Sequence, residues 1–439
     1  MTWEILGSAP APLEAPTAAG EAADLRPWGH RYAVRVMSMA INLVLFANLT
    51  LRAAAQSFRV LEQPECPSFW TIRTWVLRLG LYELQRTKIR ASDWVFIVDA
   101  TIAVGQHKAL VILGVRLSWL RGRDFSLGHQ DVVILGLEIL TRCDGLAVYA
   151  QLEEAARAVG IPRAVVSDDG GDLRKGMRLF RQAHPEVDWF HDLTHRLALM
   201  LEKELSAAAW WSEFLSRVGQ CRQACQQTAW SHLLPPAQRT KARWFNLEPL
   251  IRWALRVVAY GRRQAASSDA KFEALFGWLA PYEPDLAQAR QLVVMMKAVC
   301  VIIKRKGLDR ATVERCARRI TRIAKTEGAR AFGRQILGFL REQLAQLKPG
   351  ETMLGSSDVI ESLFGKYKGV VERSPMKAIT VMVLLVAALT SERTPAVIRE
   401  AMETVGVAEV EAWFAANGEP TLLAKRRAEL NDILGTKHA

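Results

Sequence analysis

Short apolar runs alternate with amphipathic helical segments over the first half of the chain. The run at residues 94–98 is rich in β-branched and aromatic side chains, which predicts a strand buried on both faces and ending on Asp99. A second strand over 107–115 follows through a turn at 105–106. Three more strands are predicted near 131–140, 162–168 and 187–192, with helices over 144–159 and 173–184 between them. This order predicts one mixed sheet flanked by helices.

Helical periodicity dominates the remainder of the chain. Thr50 and Ser68 are suited to cap helices over 51–61 and 69–79, the second ended by Gly80. The second helix carries polar residues outward, as a helix-turn-helix recognition helix does, although an ordinary helical hairpin has the same pattern. Its candidate DNA contacts are Thr71, Arg73, Thr74 and Arg78. Residues 197–348 are almost entirely amphipathic helix, and another helix over 358–368 begins at Ser356 or Ser357.

Composition narrows the choice of partner. The 439 residues carry a formal net charge of +13 at a pI near 9.7, which favours a polyanion such as DNA, RNA or a membrane surface. The six cysteines form no CxxC pair, so a reduced, cytoplasmic compartment fits better than a disulfide framework. The apolar stretch at 378–390 is shorter than the roughly 20 residues that span a bilayer, and no signal peptide is visible. We therefore expect no membrane partner.

Three carboxylates fall at positions suited to metal-dependent chemistry. Asp99 ends the first strand, Asp168 ends the strand after the first core helix, and Glu361 lies in the first turns of a late helix. Hard carboxylate oxygens are the ligands that paired divalent cations need to activate an attacking hydroxyl and stabilise a leaving oxygen. Alternatives stay open: Asp99 as a turn or capping residue, and Asp169 or Asp172 in place of Asp168. Asp172 is better suited to cap the following helix.

The segments 95–99, 165–173 and 357–366 resemble the three signature blocks of bacterial insertion-sequence transposases of the DDE type. The segment 67–75 is similar to the helix-turn-helix that precedes their catalytic core. The resemblance implies an α/β, ribonuclease-H-like fold with a large helical insertion, because the acids are 69 (168−99) and 193 (361−168) residues apart. It also implies two Mg²⁺ or Mn²⁺ ions held by Asp99, Asp168 and Glu361, and no small-molecule cofactor.

Further roles follow from the same resemblance. His195, in an Asp-x-x-His element beginning at Asp192, would contact the scissile phosphate or support a metal ligand, unless Asp192 only caps a helix beside a structural histidine. Arg243 and Trp244 resemble an Arg-Trp element in which the aromatic ring stacks on a flipped base, although Trp244 also suits a helical core. The remaining candidate DNA contacts are Arg315, Arg319 and Arg322 in a stripe with Arg318 and Lys325, and Lys366 and Lys368 beyond Glu361.

The predicted organisation places the catalytic core around the helical insertion. It comprises a mobile tail (1–28), a helix-turn-helix domain (29–90), a ribonuclease-H-like core in two parts (91–200 and 351–395), a helical insertion (201–350) and C-terminal helices (396–439). We expect a nucleoid-associated transposase that cleaves and joins double-stranded DNA and forms a dimer or higher oligomer on it. The alternatives are a ribonuclease-H-like nuclease, a domesticated non-catalytic DNA-binding protein and, least favoured, a helical regulator with accidental acids.

Overall fold

A five-stranded mixed sheet organises the first half of the protein, with strand order β3-β2-β1-β4-β5. The computed structural model describes residues 25–102, 107–140, 143–237, 244, 247–264, 270–371, 379–418, 426–427 and 429–431. β1 pairs antiparallel with β2, and β2 with β3, whereas β1, β4 and β5 run parallel. The strands are β1 (Trp94–Ile102), β2 (Lys108–Arg116), β3 (Val133–Leu140), β4 (Ala164–Ser167) and β5 (Asp188–His191). The mixed sheet expected from the sequence is confirmed.

Alternation along β1 separates two cores. Phe96 and Val98 pack with α5 (Gly145–Val159) and α6 (Gly171–Ala183), the crossover helices on one face. Val95 and Ile97 point to the other face, into a core that continues through the N-terminal and insertion helices. Asp99 continues the odd-numbered series, so strand alternation directs it to this second face.

β1 is longer than predicted. It continues past Asp99 to Ile102, because the antiparallel partner β2 keeps pairing as far as Ile102 with Lys108. The parallel pairing with β4 stops earlier, at Val98 with Ser167. Asp99 therefore lies inside a strand, beyond the end of its parallel neighbour. The predicted turn at 105–106 lies outside the described residues.

The helix expected to be a recognition helix is instead a centre of packing. Helix α3 (Phe69–Gln85) follows α1 (Val34–Leu45) and α2 (Leu51–Val60), and Thr50 and Ser68 cap α2 and α3 as predicted. α3 runs through Gly80, whose missing Cβ lets the backbone of Leu384 approach. Apolar residues on several sides of α3 are buried, including Ile72, Val76 and Leu81. The part of α3 that stays open is therefore its first turns.

The block between the sheet and the late glutamate helix is helical, as predicted. Its longer helices are α7 (Leu193–Ser206), α8 (Ala209–Cys225), α9 (Leu247–Gln264), α10 (Ala270–Phe276), α11 (Glu283–Lys306), α12 (Arg310–Ile323) and α13 (Glu327–Leu344); a short helix α4 (Leu117–Gly122) lies earlier, after β2. The stretch Ala270–Lys306 is long and apolar enough to cross a membrane by length and composition, but half of its most apolar window is buried within the protein. That burial is the pattern of a core helix.

Helix α14 (Asp358–Val371) carries Glu361 in its first turn and contacts β1. It is followed by α15 (Leu384–Ala388), α16 (Pro395–Thr404) and α17 (Val407–Asn417), all of which pack near the N-terminal helices. Thr394 caps α16 through the backbone N–H of Val397. The chain thus closes by laying its C-terminal helices on α3.

Candidate active site

The strand register places Asp99 and Asp168 together at one edge of the sheet. Val98 pairs with Ser167 in the parallel ladder, so the next residue of each chain segment is an aspartate. The backbone N–H of Asp192, which follows the third parallel strand, donates to the carbonyl of Ser167 at 2.8 Å. Because the carboxyl ends of parallel strands share an edge, three acids meet there.

The neighbouring aspartates are occupied by other partners. The Asp169 carboxylate lies 3.2 Å from His191 Nδ1 and 3.2 Å from an Arg196 guanidinium nitrogen. Asp172 is not the helix cap that we predicted: it lies in the first turn of α6, whose N-cap is Gly170, and is 3.5 Å from Lys108 Nζ. The Asp168 carboxylate instead accepts only the Gly170 backbone N–H, at 3.0 Å, among the hydrogen bonds of the described residues. This leaves Asp168 as the acid beside Asp99.

A single buried carboxylate, Asp192, joins the sheet to the glutamate helix. One oxygen accepts the backbone N–H of His195 at 2.6 Å and caps α7. The other accepts the backbone N–H and the hydroxyl of Ser357, at 2.6 and 3.0 Å. Asp192 does cap a helix, as one of our alternatives proposed, but it also fixes the residue before α14. Glu361 is thereby held close to the sheet edge.

The pKa of Asp99 is sensitive to the other acids at this edge. Burial raises the pKa of Asp99 to about 7, and repulsion from Asp168, Glu361 and Asp192 also raises it, against an N–H donated by Ala100. The Asp99 side chain nevertheless keeps a partly open surface. Three acids that each perturb Asp99 must lie within electrostatic reach of it.

Glu361 experiences the same crowding from the helix side. Burial is the largest cause that raises the pKa of Glu361, and repulsion from Asp192 and Asp358 raises it further. Lys304 and His195 lower it. The Glu361 side chain is nevertheless exposed to solvent. His195 therefore lies near Glu361, on the first turn of α7. Lys304 also forms an ion pair with Asp358, a contact that the sequence did not indicate.

The donor chemistry of this cluster fits divalent cations. Asp99, Asp168 and Glu361 supply hard carboxylate oxygens, and a bound cation would relieve the repulsion among them. No three His, Cys, Asp or Glu side chains of the described residues are close enough together to hold an ion. The cluster therefore has the donor chemistry of a divalent-cation site but not its spacing.

The basic stripe on α12 is presented to solvent. Its buried face consists of Thr312, Val313, Cys316 and Ile320, which turns the arginines outward. Arg315, Arg319 and Arg322 are exposed with Arg318 and Lys325, and none of them forms an ion pair with a described carboxylate. This surface has the charge that a phosphate backbone requires.

The candidate contacts on α3 divide into two groups. Arg78 corrects our expectation, since its guanidinium donates to the carbonyls of Val405 and Met402 at the end of α16 and is directed inward. Thr74 donates back to the carbonyl of Trp70 at 3.0 Å. Thr71 and Arg73 lie in the open first turns, with the Arg73 guanidinium 5.7 Å from the ring centre of Trp70.

The remaining candidate DNA contacts have different surroundings. Trp244 packs against Trp211 with ring centres 6.2 Å apart, which favours its alternative role in the helical core. Arg243 lies outside the described residues. Lys366 donates to the Leu45 carbonyl at 3.1 Å, and Lys368 lies 5.7 Å from the ring centre of Phe364.

A second contact, between the sheet and the segment before α14, was also not predicted from the sequence. Arg163, just before β4, donates to both carboxylate oxygens of Glu351 at 3.0 and 2.6 Å and to Asp188 at 2.5 Å. A bidentate pair of this kind fixes geometry as well as charge. The sequence contained no sign of it, because 188 residues separate Arg163 from Glu351.

Comparison with solved structures gives a distant likeness. No family model matches the chain, and no curated protein matches its sequence. The chain is similar to a solved structure described as the Drosophila P element transposase strand transfer complex, with 12% identity over 84% of this chain and 92% of that chain and a TM-score of 0.40. A likeness this loose supports no conclusion by itself. That neighbour is not a bacterial insertion-sequence transposase, so the bacterial assignment stays a prediction from the signature blocks.

Proposed function

We propose that this chain is a DNA transposase of the DDE type built on a ribonuclease-H-like core. Its acids would be Asp99, Asp168 and Glu361, holding two Mg²⁺ or Mn²⁺ ions. The observation that carries the proposal is the parallel register that puts Asp99 and Asp168 side by side, with Glu361 on a helix that contacts β1 and is anchored through Ser357 to Asp192. An antiparallel hairpin sheet extended by two parallel strands, with a helix-borne glutamate against it, is the arrangement that this fold requires.

Each residue of the site has a defined task in this proposal. Bound divalent cations would supply the activated hydroxyl and the stabilised leaving oxygen of phosphodiester cleavage and joining. Asp99 and Asp168 provide rigid ligands, because strand pairing and the Gly170 N–H hold them. Glu361 approaches from a helix anchored by Asp192 through Ser357. His195 would contact the scissile phosphate, and the α12 stripe would bind the duplex backbone.

A cleavage assay tests this proposal. The full chain is incubated with a plasmid that carries the DNA flanking its own gene, with Mg²⁺, with Mn²⁺ or with EDTA. We expect metal-dependent strand cleavage, and a loss of at least about a thousandfold in Asp99→Asn, Asp168→Asn and Glu361→Gln because each removes a metal ligand. Asp172→Asn, which alters a nearby carboxylate outside the triad, should cleave normally. Undiminished cleavage by Glu361→Gln would refute the triad.

A second candidate, a non-catalytic DNA-binding protein, is favoured by one observation. Within the described residues no three potential ligands are spaced to hold an ion. Calorimetric titration of the full chain with Mn²⁺, with and without duplex DNA, separates the two candidates. Binding that is lost in Asp99→Asn supports the enzyme. Tight duplex binding without Mn²⁺ binding or cleavage supports the non-catalytic protein.

A further inference from the structure

A groove of about 890 Å³ lies between the N-terminal helices and α14. Apolar side chains of α1, of the loop after it and of α15 line it, including Val44, Leu45, Leu49 and Leu385. Its other boundary is the first turn of α3 together with Ser362, Gly365 and Lys366 of α14. We call this the α3–α14 groove. It is separate from the carboxylate cluster and from the α12 stripe.

Aromatic rings form one side of the groove. Trp70 is 60% exposed although it is the second residue of a helix that is otherwise deeply buried. Its ring centre lies 4.9 Å from that of Phe69 and 5.7 Å from the Arg73 guanidinium. The Arg52 guanidinium lies 5.0 Å from the ring centre of Phe69. A large exposed ring flanked by guanidinium groups is a platform on which a nucleobase can stack.

The charges of the groove are all of one sign. Arg52, Arg73 and Lys366 line it, and no aspartate or glutamate among the described residues does. The hydrogen bond from Lys366 to the Leu45 carbonyl uses one of its three donors and orients the amine across the groove. Apolar walls with cations and no carboxylate match a ligand that has flat apolar faces joined by phosphates.

The groove also opens beside the candidate active site. Gly365, which lines it, is one helical turn after Glu361, a rise of about 6 Å along α14. Ser362, the residue after Glu361, lines it too. A strand that passes the carboxylate cluster would therefore need little additional length to reach Trp70.

We propose that the α3–α14 groove binds the unpaired nucleotides of a DNA end, with a base stacked on Trp70 and phosphates held by Arg52, Arg73 and Lys366. An unpaired strand suits it better than a duplex, because only unpaired bases can turn their faces toward an aromatic ring and apolar walls. Calling this DNA a transposon end rests on the proposed function. The preference for unpaired nucleotides does not.

A DNA-binding assay without catalysis tests whether the α3–α14 groove holds unpaired nucleotides. Fluorescence anisotropy in EDTA compares a blunt duplex with the same duplex extended by a single-stranded overhang of a few nucleotides, on either strand. Since stacking contributes about 1–3 kcal/mol per base, we expect the overhang to improve affinity about tenfold or more. Trp70→Ala and Arg52→Ala should reduce this gain to within about twofold, while blunt-duplex affinity stays unchanged.

Matched variants control for folding and for general charge. Trp28→Ala removes a tryptophan that is 92% exposed and does not line the groove. Arg59→Ala removes an exposed arginine from the same helix as Arg52. Both should keep the overhang preference, and all four variants should unfold at the wild-type temperature because the altered side chains are at the surface.

The outcomes distinguish this inference from the proposed function. The groove does not bind unpaired nucleotides if the wild type has equal affinity for blunt and extended duplexes, or if Trp70→Ala keeps the overhang preference. This conclusion holds even if the enzyme cleaves DNA. Competition by a free mononucleotide at micromolar concentration would identify a small ligand and overturn the DNA-end assignment. An overhang preference that depends on Trp70 supports the groove even if no cleavage is found.

Discussion

Asp99 is a carboxylate whose pKa is raised by three other carboxylates. Asp168, Glu361 and Asp192 all oppose its ionisation, and the main contact that favours the charge is the backbone N–H of Ala100. In a metal-free protein this arrangement costs stability. The same arrangement provides a driving force for cation binding, because a cation removes the repulsion.

The pH dependence of stability follows from this pKa. The unfolded chain releases the Asp99 proton near its ordinary pKa of 3.8 and the folded chain near 7, so folding stability falls as pH rises from about 4 to 7. A shift of three pKa units corresponds to about 4 kcal/mol, which the partial exposure of Asp99 reduces to about 1–2 kcal/mol. We expect Asp99→Asn to stabilise the metal-free protein at pH 8 by that amount, and by much less at pH 4.5.

Urea unfolding in EDTA at the two pH values measures this effect. Asp172→Asn is the control, since it removes a half-exposed carboxylate that pairs with Lys108. An equal stabilisation by Asp99→Asn at both pH values would show that the carboxylate is not crowded in the folded state.

At the scale of elements, one buried side chain joins two helix N-termini. Asp192 accepts hydrogen bonds from the first turn of α7 and from Ser357 directly before α14. Asp192→Ala leaves two buried N–H groups without their acceptor. The loss of a cap and of satisfied buried donors costs about 2–4 kcal/mol. Thermal and urea unfolding should both detect this loss.

The conservative variant separates charge from geometry. Asp192→Asn keeps one acceptor oxygen, so we expect it to recover about half of the stability lost in Asp192→Ala. It also removes a charge that raises the pKa of Glu361. If Asp192→Ala unfolded like the wild type, the link between the sheet and α14 would not be made by this carboxylate.

The close approach of α3 and α15 depends on a single glycine. A Cβ added at Gly80 would lie 2.2 Å from the carbonyl oxygen of Leu384, which is backbone and cannot rotate away. Gly80→Ala should therefore destabilise the protein by about 2–3 kcal/mol through overpacking. Gly219→Ala, within α8 and with nothing within 4 Å of its added Cβ, should stabilise by about 0.5–1 kcal/mol. Equal and small effects at both sites, measured by urea unfolding, would contradict the contact.

The same elements show what the sequence could and could not predict. The buried strands, the crossover helices and the caps at Thr50 and Ser68 are local patterns, and they were predicted with small errors at their ends. The length of β1 was underestimated because it depends on a partner strand. The end of α3 was predicted too early because Gly80, a helix-ending signal in isolation, is a packing position against a segment 304 residues away (384−80).

The candidate site shows the same division. Asp99 and Asp168 were found because each follows an apolar run, and the parallel register brings them together. Asp192 was recognised as part of a short motif, but its bond to Ser357 spans 165 residues and leaves no local signal. Arg78 was misassigned because helical periodicity does not reveal that the end of α16 covers it.

Considered as a whole, the molecule has an excess positive charge that is concentrated on identifiable surfaces. The net charge of +13 includes many arginines paired with glutamate on the same helix, such as Arg310 with Glu314 and Arg399 with Glu403. The α12 stripe differs because its arginines have no carboxylate partner among the described residues. It is therefore a surface where a polyanion displaces no ion pair of the described residues.

Salt dependence of duplex binding tests the stripe. Each arginine that contacts a phosphate contributes about 0.9 to the slope of log affinity against log salt concentration, so the triple variant Arg315→Ala, Arg319→Ala, Arg322→Ala should reduce the slope by about two to three. The loss should be the same for unrelated duplex sequences, because phosphate contacts carry no sequence information. Arg310→Ala with Arg399→Ala removes paired arginines and should leave the slope within about 0.5 of the wild-type value. A triple variant with the wild-type slope would assign duplex binding to another face of the protein, and the +13 charge would then act only as a diffuse attraction.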